Sequence, residues 1–180
     1  MAKSKKWIAL LRAVLPATHK KMSMQQLRES CEKTGLENVS THAASGNLLF
    51  SSRSTKQELL TILNGIIASY DLENSVILRT PAQLKSVISS APFADAIDTR
   101  PNLLLVYFYD KKLPASQIEE LELKGGPERM QLLGRELCID YKEGVARSKL
   151  TPKLIERHLG QSGTARNWNA VNKLVELSAK

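Results

Sequence analysis

Polar side chains collect in residues 147–177, around the predicted starts of the last two helices. The sharpest feature is Thr164, whose hydroxyl suits the N-cap of a helix predicted over residues 165–177. The N–H groups at a helix start, together with a nearby guanidinium, can bind an anion. The polar residues that would form such a site are Arg147, Lys149, Thr164, Arg166, Asn167 and Asn169.

The predicted helix does not itself require these polar residues. Asparagine is a poor helix former, and an arginine at a helix start opposes the helix dipole. On a helix, residues 166, 169 and 173 would share one face. Two interpretations therefore stay open. Arg166 and the two asparagines bind an anion or a polar ligand, or they make buried hydrogen bonds that lock the helix to a sheet.

Three further places can contribute to a ligand site, and each has a structural alternative. Arg12 lies near the end of an otherwise apolar predicted strand, where a guanidinium needs either an ion-pair partner or a ligand. Ser45 and Asn47 lie in a predicted hairpin turn, which either serves the fold alone or forms part of a site. Arg147 and Lys149 precede a predicted helix. They either contact a ligand or are solvated charges of a loop.

The charge balance favours a polyanionic partner. The 180 residues carry a formal net charge of +8, and the sequence pI is about 9.6. Such a balance is typical of nucleic-acid-binding proteins, although basic proteins without such partners are also common. Part of the charge lies at the two ends of the chain, where we expect solvated tails, at Lys3, Lys5, Lys6 and Lys180.

Several kinds of site are excluded by their missing motifs. There is no HExxH or HxH and no His/Cys spacing for a metal, and no P-loop, GxSxG or GxGxxG, so we predict no metal and no cofactor. Cys31 and Cys138 form no CxxC pair, and this pattern fits a reducing cytoplasm. No apolar run approaches the roughly 20 residues of a membrane-spanning helix, so we expect no membrane partner.

The pattern of residues 1–80 predicts a ferredoxin-like βαββαβ lobe. Strands are expected at residues 7–13 and 75–79, with a hairpin between them. The helix over residues 23–34 has the most complete start and stop signals, because Ser23 and Gln26 form a capping box and Gly35 follows the last turn. The remaining predicted segments of this lobe are a loop at 14–21, hairpin strands at 38–43 and 47–52, and a helix capped by Ser54 or Thr55.

Residues 81–180 predict a second α+β lobe, packed against the first as one compact body because no Ser/Gly-rich linker separates them. Thr80, Pro81 and Gln83 mark the start of its first helix. Its most apolar run is residues 103–109, which we predict as a buried strand. The other predicted segments are a loop at 94–102, a helix at 114–123, a hairpin at 130–133 and 136–141, and helices at 152–159 and 165–177.

The chain resembles a bacterial family catalogued as domain of unknown function 1697. The Thr-Ala-Arg-Asn-Trp-Asn hexapeptide that begins at Thr164 is the most specific part of this resemblance. The matching segments are residues 8–12, Met24 with Leu27 and Arg28, residues 45–48 with Phe50, residues 147–150, residues 154–160 and residues 164–169. The resemblance implies an α+β protein related to ferredoxin-like folds, and it brings no established activity.

One segment departs from the family pattern. Similar proteins continue the first strand into a glycine-rich loop, whereas this chain has Ala13-Val14-Leu15-Pro16-Ala17-Thr18. A backbone without glycine does not freely take positive φ or approach a ligand closely. The resemblance therefore implies that any ligand bound at this loop in the family is bound differently or more weakly here.

Two hypotheses about function follow, with a structural alternative beside them. The first is a non-enzymatic module that binds nucleic acid or another phosphorylated ligand through Arg12, Arg147, Lys149, Arg166 and the helix start at Thr164. The second is an enzyme that acts on a small anionic substrate, with Arg147 and Arg166 as clamps and His42 or Ser45 near the chemistry. The third is a structural or interaction protein in which the polar motif is a folding lock. The sequence leaves the oligomeric state open.

Overall fold

The computed structural model describes residues 3–180 and has mixed helices and antiparallel sheets, so the predicted α+β class is confirmed. The chain divides into two units. Unit 1 comprises Met1–Gln83 with Glu176–Lys180, and unit 2 comprises Leu84–Val175.

Unit 1 is built on a four-stranded antiparallel sheet with the strand order β2-β3-β1-β4. Its elements are β1 (Lys5–Leu11), α1 (Pro16–Lys21), α2 (Met24–Lys33), β2 (Glu37–His42), β3 (Asn47–Ser52), α3 (Lys56–Ala68) and β4 (Val76–Arg79). The predicted capping box of α2 is confirmed, since Gln26 N donates to Ser23 Oγ at 3.1 Å and Ser23 N donates to Gln26 Oε1 at 2.9 Å. Thr55 caps α3 in the same way with Glu58.

The core of unit 1 lies between α2, α3 and one face of the sheet. Alternate residues of each strand point to this face, because side chains alternate along a strand. Leu27 and Cys31 of α2 and Leu59 of α3 are completely buried there. Burial raises the pKa of the Cys31 thiol to about 12, which leaves it protonated and suited to packing.

Unit 2 repeats the strand order of unit 1, with a second four-stranded antiparallel sheet ordered β6-β7-β5-β8. Its elements, some of which begin or end across the unit boundary, are α4 (Pro81–Ser90), α5 (Ala94–Thr99), β5 (Leu104–Phe108), α6 (Ala115–Lys124), β6 (Arg129–Leu133), β7 (Glu136–Asp140), a 3₁₀ turn (Val145–Arg147), α7 (Pro152–Leu159), β8 (Thr164–Asn167) and α8 (Trp168–Ser178).

The repeated order is β-α-β-β-α-β in each unit, apart from the added α1 in unit 1 and the added α4, α5, 3₁₀ turn and α8 around and within the order of unit 2. A residue-by-residue repeat is not evident in the sequence, so pattern reasoning alone does not reveal this symmetry. What the structure establishes is the α+β class and the two matching sheets. The finer ferredoxin-like designation stays a prediction.

Two predicted loops are wrong, because each contains a short helix. Residues 14–21 include α1, in which Pro16 takes the first helical position and His19 lies in the last turn. Residues 94–102 include α5, whose last turn is followed by Arg100. Both helices are only six residues long, so neither gives the apolar periodicity that sequence reasoning needs.

The prediction that Thr164 caps a helix over residues 165–177 is also wrong. Thr164–Asn167 forms the edge strand β8, which pairs with β5 so that Arg166 lies opposite Val106. The helix begins only at Trp168, and its cap is Asn167, whose Oδ1 accepts from Ala170 N at 2.8 Å. Arg166 therefore does not share a helical face with Asn169 or Lys173.

Candidate functional site

Arg166, the centre of the predicted site, is buried inside unit 2. Its side chain is only 6% exposed, and Nη1 donates to Thr164 Oγ1 and to Ala165 O, both at 2.8 Å. Burial lowers the pKa of the guanidinium to about 10, which still leaves it charged at neutral pH. These contacts are the kind that the folding-lock interpretation requires.

The asparagines around this strand also bind one another. Asn167 Nδ2 and Asn169 Nδ2 donate to Asn102 Oδ1 at 3.4 Å and 2.9 Å. Because Asn102 directly precedes Leu103 and the central strand β5, the amides join the start of α8 to the start of β5. The crowding of asparagines that a helix start does not explain thus has a structural explanation.

Arg147 and Lys149 differ from Arg166 in their exposure. Arg147 ends the 3₁₀ turn, Lys149 follows two residues later, and both side chains are exposed. They present charge to solvent in the segment between β7 and α7. A contact with a polyanion is open to these two side chains and not to the buried Arg166.

The predicted residues of unit 1 come together at one end of its sheet. Asn47 pairs with Leu10 across β1 and β3, and Leu11 N donates to Gly46 O at 2.8 Å, so Arg12 lies beside the hairpin turn. The buried Asn47 donates through Nδ2 to Ser45 Oγ at 3.1 Å, and it also donates to a backbone carbonyl of β2. Arg12 is half-buried and Ser45 is exposed.

The glycine-free loop after Arg12 packs tightly on that hairpin turn. Ala13 has φ of 54°, so the expectation that this backbone avoids positive φ is wrong at this residue. Gly46 has φ of 78°, and a Cβ there would lie 2.7 Å from Val14 Cγ2 and 2.8 Å from Leu11 Cβ. Glycine is required in the hairpin, where the loop approaches it closely.

A basic cavity that sequence reasoning missed lies elsewhere in unit 1. Its volume is about 550 Å³, and the lining residues are Lys3, Lys5, Trp7, Arg53, Ser54, Thr55 and Lys56. Lys5 and Trp7 point to the same side of β1 because they are two residues apart. Lys5 pairs with Ser52 at the end of β3, so the following residue, Arg53, arrives beside it.

The charged side chains that line this basic cavity are all positive. Four of the residues that line it are cationic, and no carboxylate is among them within residues 3–180. The nearby Glu58 is engaged in the cap of α3, where its Oε2 accepts from Thr55 N at 2.7 Å and from Thr55 Oγ1 at 2.9 Å. These hydrogen bonds lower the pKa of Glu58. A concave group of like charges attracts anions more strongly than the same charges spread on a flat surface.

A second cavity, the cleft, also has Trp7 among its lining residues. Its volume is about 310 Å³. Lys6 forms part of its wall, and Lys6 Nζ donates to Ser178 O at 3.0 Å at the end of α8. The other lining residues are Asn38, Ser40, Leu49, Phe50, Ser51, Leu177, Ser178 and Lys180.

One sequence signal could have located the basic cavity. The chain has seven basic residues before its first acidic residue, Glu29, at positions 3, 5, 6, 12, 20, 21 and 28. The prediction that the first three lie in a solvated tail is wrong for Lys5 and Lys6, which belong to β1. The pattern does not show that Arg53 and Lys56 arrive at the same place, since that depends on strand pairing.

The part of the chain that the structure describes has neither a metal-binding cluster nor a membrane-spanning helix. Between residues 3 and 180, no group of three or more His, Cys, Asp or Glu side chains is placed to hold a metal ion. Over the same residues, every helix is too short or too polar to cross a bilayer.

Comparison with known proteins identifies relatives without a known activity. Residues 4–137 match the model of a family described as "Protein of unknown function (DUF1697)". Among solved structures, the chain is similar to the conserved bacterial protein SP0830 from Streptococcus pneumoniae, with a TM-score of 0.75 and 19% identity. That match covers 99% of this chain and 100% of the other, and it establishes likeness of fold alone. No curated protein matches the sequence.

Proposed function

We propose that this chain, which belongs to the DUF1697 family, is a non-enzymatic module that binds nucleic acid or another phosphorylated ligand. The observation that carries the proposal is the basic cavity of unit 1, whose lining among residues 3–180 has four cations and no carboxylate. The two cysteines of the chain, Cys31 and Cys138, are buried and form no disulfide. We therefore place the module in a reducing cytoplasm.

The chemistry of the basic cavity suits phosphate groups. Arg53 supplies a planar guanidinium that can bind two phosphate oxygens at once, and lysines supply mobile point charges. Trp7 adds an aromatic surface among these cations. Positive charge with an interposed aromatic ring is the combination that proteins use for single-stranded nucleic acids, where the charge follows the backbone and the ring stacks on a base.

The residues predicted from the sequence enter this proposal in different ways. Arg147 and Lys149 are exposed cations, and we propose them as additional contacts for a long polyanion. Arg12, Ser45 and Asn47 lie together in unit 1 and stay candidates for polar contacts. For Thr164, Arg166, Asn167 and Asn169 the intramolecular hydrogen bonds favour a structural role over direct binding.

The test is a salt titration with the full chain. Fluorescence anisotropy of labelled single-stranded RNA and of duplex DNA would be measured from 50 to 300 mM salt. If three or four phosphates are contacted, log K should fall against log salt with a slope of roughly −2 to −3 for the single strand. Absence of binding to both at low salt, or a slope near zero, would overturn the proposal.

Charge substitutions locate the binding. The double variant Lys5→Gln/Arg53→Gln should weaken binding about tenfold or more and make the salt slope shallower. The matched control is Lys111→Gln/Lys112→Gln, which removes the same charge from two exposed lysines of unit 2. Equal losses in the two double variants would show that net charge, and not the basic cavity, accounts for binding.

A further inference from the structure

We propose that the cleft of unit 1 binds a small organic acid, a molecule with one carboxylate and a short apolar part. This site is separate from the basic cavity, since the two cavities lie on opposite faces of the first sheet. Either site can exist without the other, so the acid is a second ligand beside the polyanion of the proposed function.

The cleft lies on the face of the first sheet that points away from α2 and α3. Trp7 and Phe50 pack with the core on the helix-covered face. Because neighbouring residues of a strand point to opposite faces, Lys6 and Ser51 point to the other face, where they line the cleft. Lys5, two residues before Trp7, shares the helix-covered side and lines the basic cavity. The two adjacent lysines therefore belong to different sites.

A lysine and a serine lie side by side in the wall of the cleft. Lys6 and Ser51 are directly opposite each other in the pairing of β1 with β3. The Cβ atoms of such partners are about 5 Å apart on one face of a sheet. An ammonium group donates three hydrogen bonds, and one from Lys6 goes to Ser178 O at 3.0 Å. The remaining two, together with the Ser51 hydroxyl, can donate to the oxygens of one carboxylate.

The hydroxyl of Ser51 is an independent sign of a ligand. Ser51 is only 8% exposed, and its hydroxyl makes no hydrogen bond to another residue between 3 and 180. Polar groups that are largely removed from water nearly always have a partner in folded proteins, because burial without one is costly. Since Ser51 lines the cleft, its partner is a molecule that occupies the cleft.

Apolar and polar groups continue along the cleft from this pair of donors. Leu49 lies two residues from Ser51 on the same face and is 6% exposed, and Leu177 adds further apolar surface. Ser40, the cross-strand partner of Leu49, adds a second hydroxyl. The volume of about 310 Å³ lies at the lower end of the range for small-molecule sites. A carboxylate at Lys6 thus places a short hydrocarbon chain against the leucines.

The charges around the cleft favour a single negative charge. Among residues 3–180, Lys6 and Lys180 are the charged residues in its lining. Glu37, which pairs with Ser51 across β2 and β3, accepts from Ser4 Oγ at 3.3 Å and lies outside that lining. A polyphosphate would bring more negative charge than two lysines balance. One carboxylate matches them, because Lys6 is already bonded to a main-chain carbonyl.

The experiment compares ligands that contain one or both chemical parts of the acid. The isotopically labelled full chain would be titrated with hexanoate, hexanol and inorganic phosphate, and its amide signals followed by NMR. Hexanoate should shift the signals of residues 6, 40, 49 and 51 with a Kd on the order of 1 mM, as expected for a ligand of this size. Hexanol and phosphate should bind at least about tenfold more weakly, because each lacks one part.

The neighbouring lysines of β1 provide matched variants, since both are exposed and they line different cavities. Lys6→Gln should weaken hexanoate about tenfold, whereas Lys5→Gln should leave its affinity unchanged. The order reverses for single-stranded RNA, which Lys5→Gln should weaken more than Lys6→Gln does. Circular dichroism and a thermal melt would verify the folding of each variant.

Ser51→Ala is a second variant that keeps the bond between Lys6 and Ser178. It should weaken hexanoate about fivefold, because one donor to the carboxylate is lost. Without ligand it should not lower the melting temperature, because the hydroxyl that it removes has no partner within residues 3–180. A hydroxyl that only stabilised the fold would give the opposite pattern, with a lower melting temperature and unchanged affinity.

The outcomes for the cleft and for the basic cavity are separate. If hexanoate shifts none of the cleft signals, or binds no more tightly than hexanol or phosphate, the cleft is not a site for an organic acid. Equal losses of hexanoate affinity in Lys5→Gln and Lys6→Gln would also rule out this site. Hexanoate binding in a chain that binds neither RNA nor DNA would support the acid site and remove the proposed function.

Discussion

The same corner of the fold is open in unit 1 and filled in unit 2. In both units the chain leaves the third strand of the sheet and enters the second covering helix. In unit 1 this corner is Arg53 to Thr55, and it borders the basic cavity. In unit 2 the corner begins with Tyr141, which is completely buried.

The hydrogen bonds of Tyr141 show how the second corner is closed. Its hydroxyl lies 3.0 Å from the Tyr107 hydroxyl and donates to Leu150 O at 3.2 Å. Burial raises the pKa of Tyr141 well above its ordinary value, so the phenol stays neutral. The two corners also differ in length, since the connection comprises residues 53–55 in unit 1 but residues 141–151, with the 3₁₀ turn, in unit 2.

The two units also differ in how their cations are paired. In unit 2, Arg100 and Arg129 both bind the buried Asp140, with Nη2–Oδ2 distances of 2.6 Å, and both also bind Asp95. The Arg129 guanidinium lies 4.6 Å from the centre of the Phe93 ring. Arg100 and Arg129 thus stabilise the fold of unit 2 through shared carboxylates, whereas four cations of unit 1 line the basic cavity.

The largest expected effect comes from breaking the paired cluster of unit 2. Asp140→Asn leaves Arg100 and Arg129 without the carboxylate that they share, and we expect a loss of about 3 kcal/mol in the free energy of unfolding. Urea unfolding would measure it. The matched control is Asp98→Asn, an exposed substitution that should change stability by less than about 0.5 kcal/mol. Equal stability of both variants would contradict the pairing described for unit 2.

The same cluster predicts a loss of stability in acid. Burial raises the pKa of Asp140, but the hydrogen bonds from Arg100 and Arg129 outweigh it, so the pKa lies below its ordinary value. Hydrogen bonds from Arg129 and Arg100 lower the pKa of Asp95 to about 2. A lowered pKa stabilises the folded state above pH about 4, and this contribution is lost as the pH falls toward 2.

Thermal melts between pH 2 and pH 6 would measure this dependence. The loss attributed to Asp140 should not exceed that of Asp140→Asn, and the variant should show a shallower decline below pH 4 than the wild type. Parallel declines in the two proteins would contradict a role for Asp140 in acid stability.

Arg166 is expected to stabilise unit 2 by a smaller amount. Arg166→Ala removes the guanidinium contacts with Thr164 and Ala165 and leaves space in a buried position, and we expect a loss of about 2 kcal/mol. The control Arg147→Ala alters an exposed arginine and should stay within about 0.5 kcal/mol. If Arg166→Ala melts like the wild type but loses ligand binding, direct binding replaces the structural interpretation.

Removing the hydroxyl of Tyr141 tests how much its hydrogen bonds stabilise the corner of unit 2. Tyr141→Phe removes the hydrogen bonds to Tyr107 and to the Leu150 carbonyl, and we expect a loss of about 1 kcal/mol. Tyr70→Phe is the control in unit 1, where the hydroxyl bonds to Ser30 Oγ at 2.8 Å in a more exposed position. Urea midpoints for the two variants should differ, with the larger shift for Tyr141.

The smallest change in stability is expected when cations of the basic cavity of unit 1 are removed. Lys5→Gln/Arg53→Gln should change the free energy of unfolding by less than about 0.5 kcal/mol, because both side chains are exposed. A marked gain in stability would show that these cations repel one another in the absence of ligand. A marked loss would show that they are structural, as in unit 2.

Much of the fold could be predicted from local signals. The capping boxes at Ser23 and Thr80 mark the starts of α2 and α4 correctly, and the apolar run at residues 103–109 contains β5. These segments carry their own start and stop signals within a few residues, so no long-range information is needed.

The strand Thr164–Asn167 could not be separated from α8 by such signals. It passes into the helix without a turn, and both Thr164 and Asn167 are good N-cap residues. Arg166 was singled out correctly as unusual, but its burial depends on pairing with Val106 of β5, which lies far away in the sequence. Long-range pairing also creates the basic cavity, so its residues were not recognised as a group.

The hydrogen bond from Lys6 to Ser178 has a consequence for the order of synthesis. It joins residues 172 positions apart, and Leu84–Val175 is made between them. At typical elongation rates this intervening stretch takes roughly 5 to 20 s to synthesise. During that time the nascent first unit has left the ribosome without Leu177 and Ser178, so one wall of its cleft is supplied only by the last residues translated.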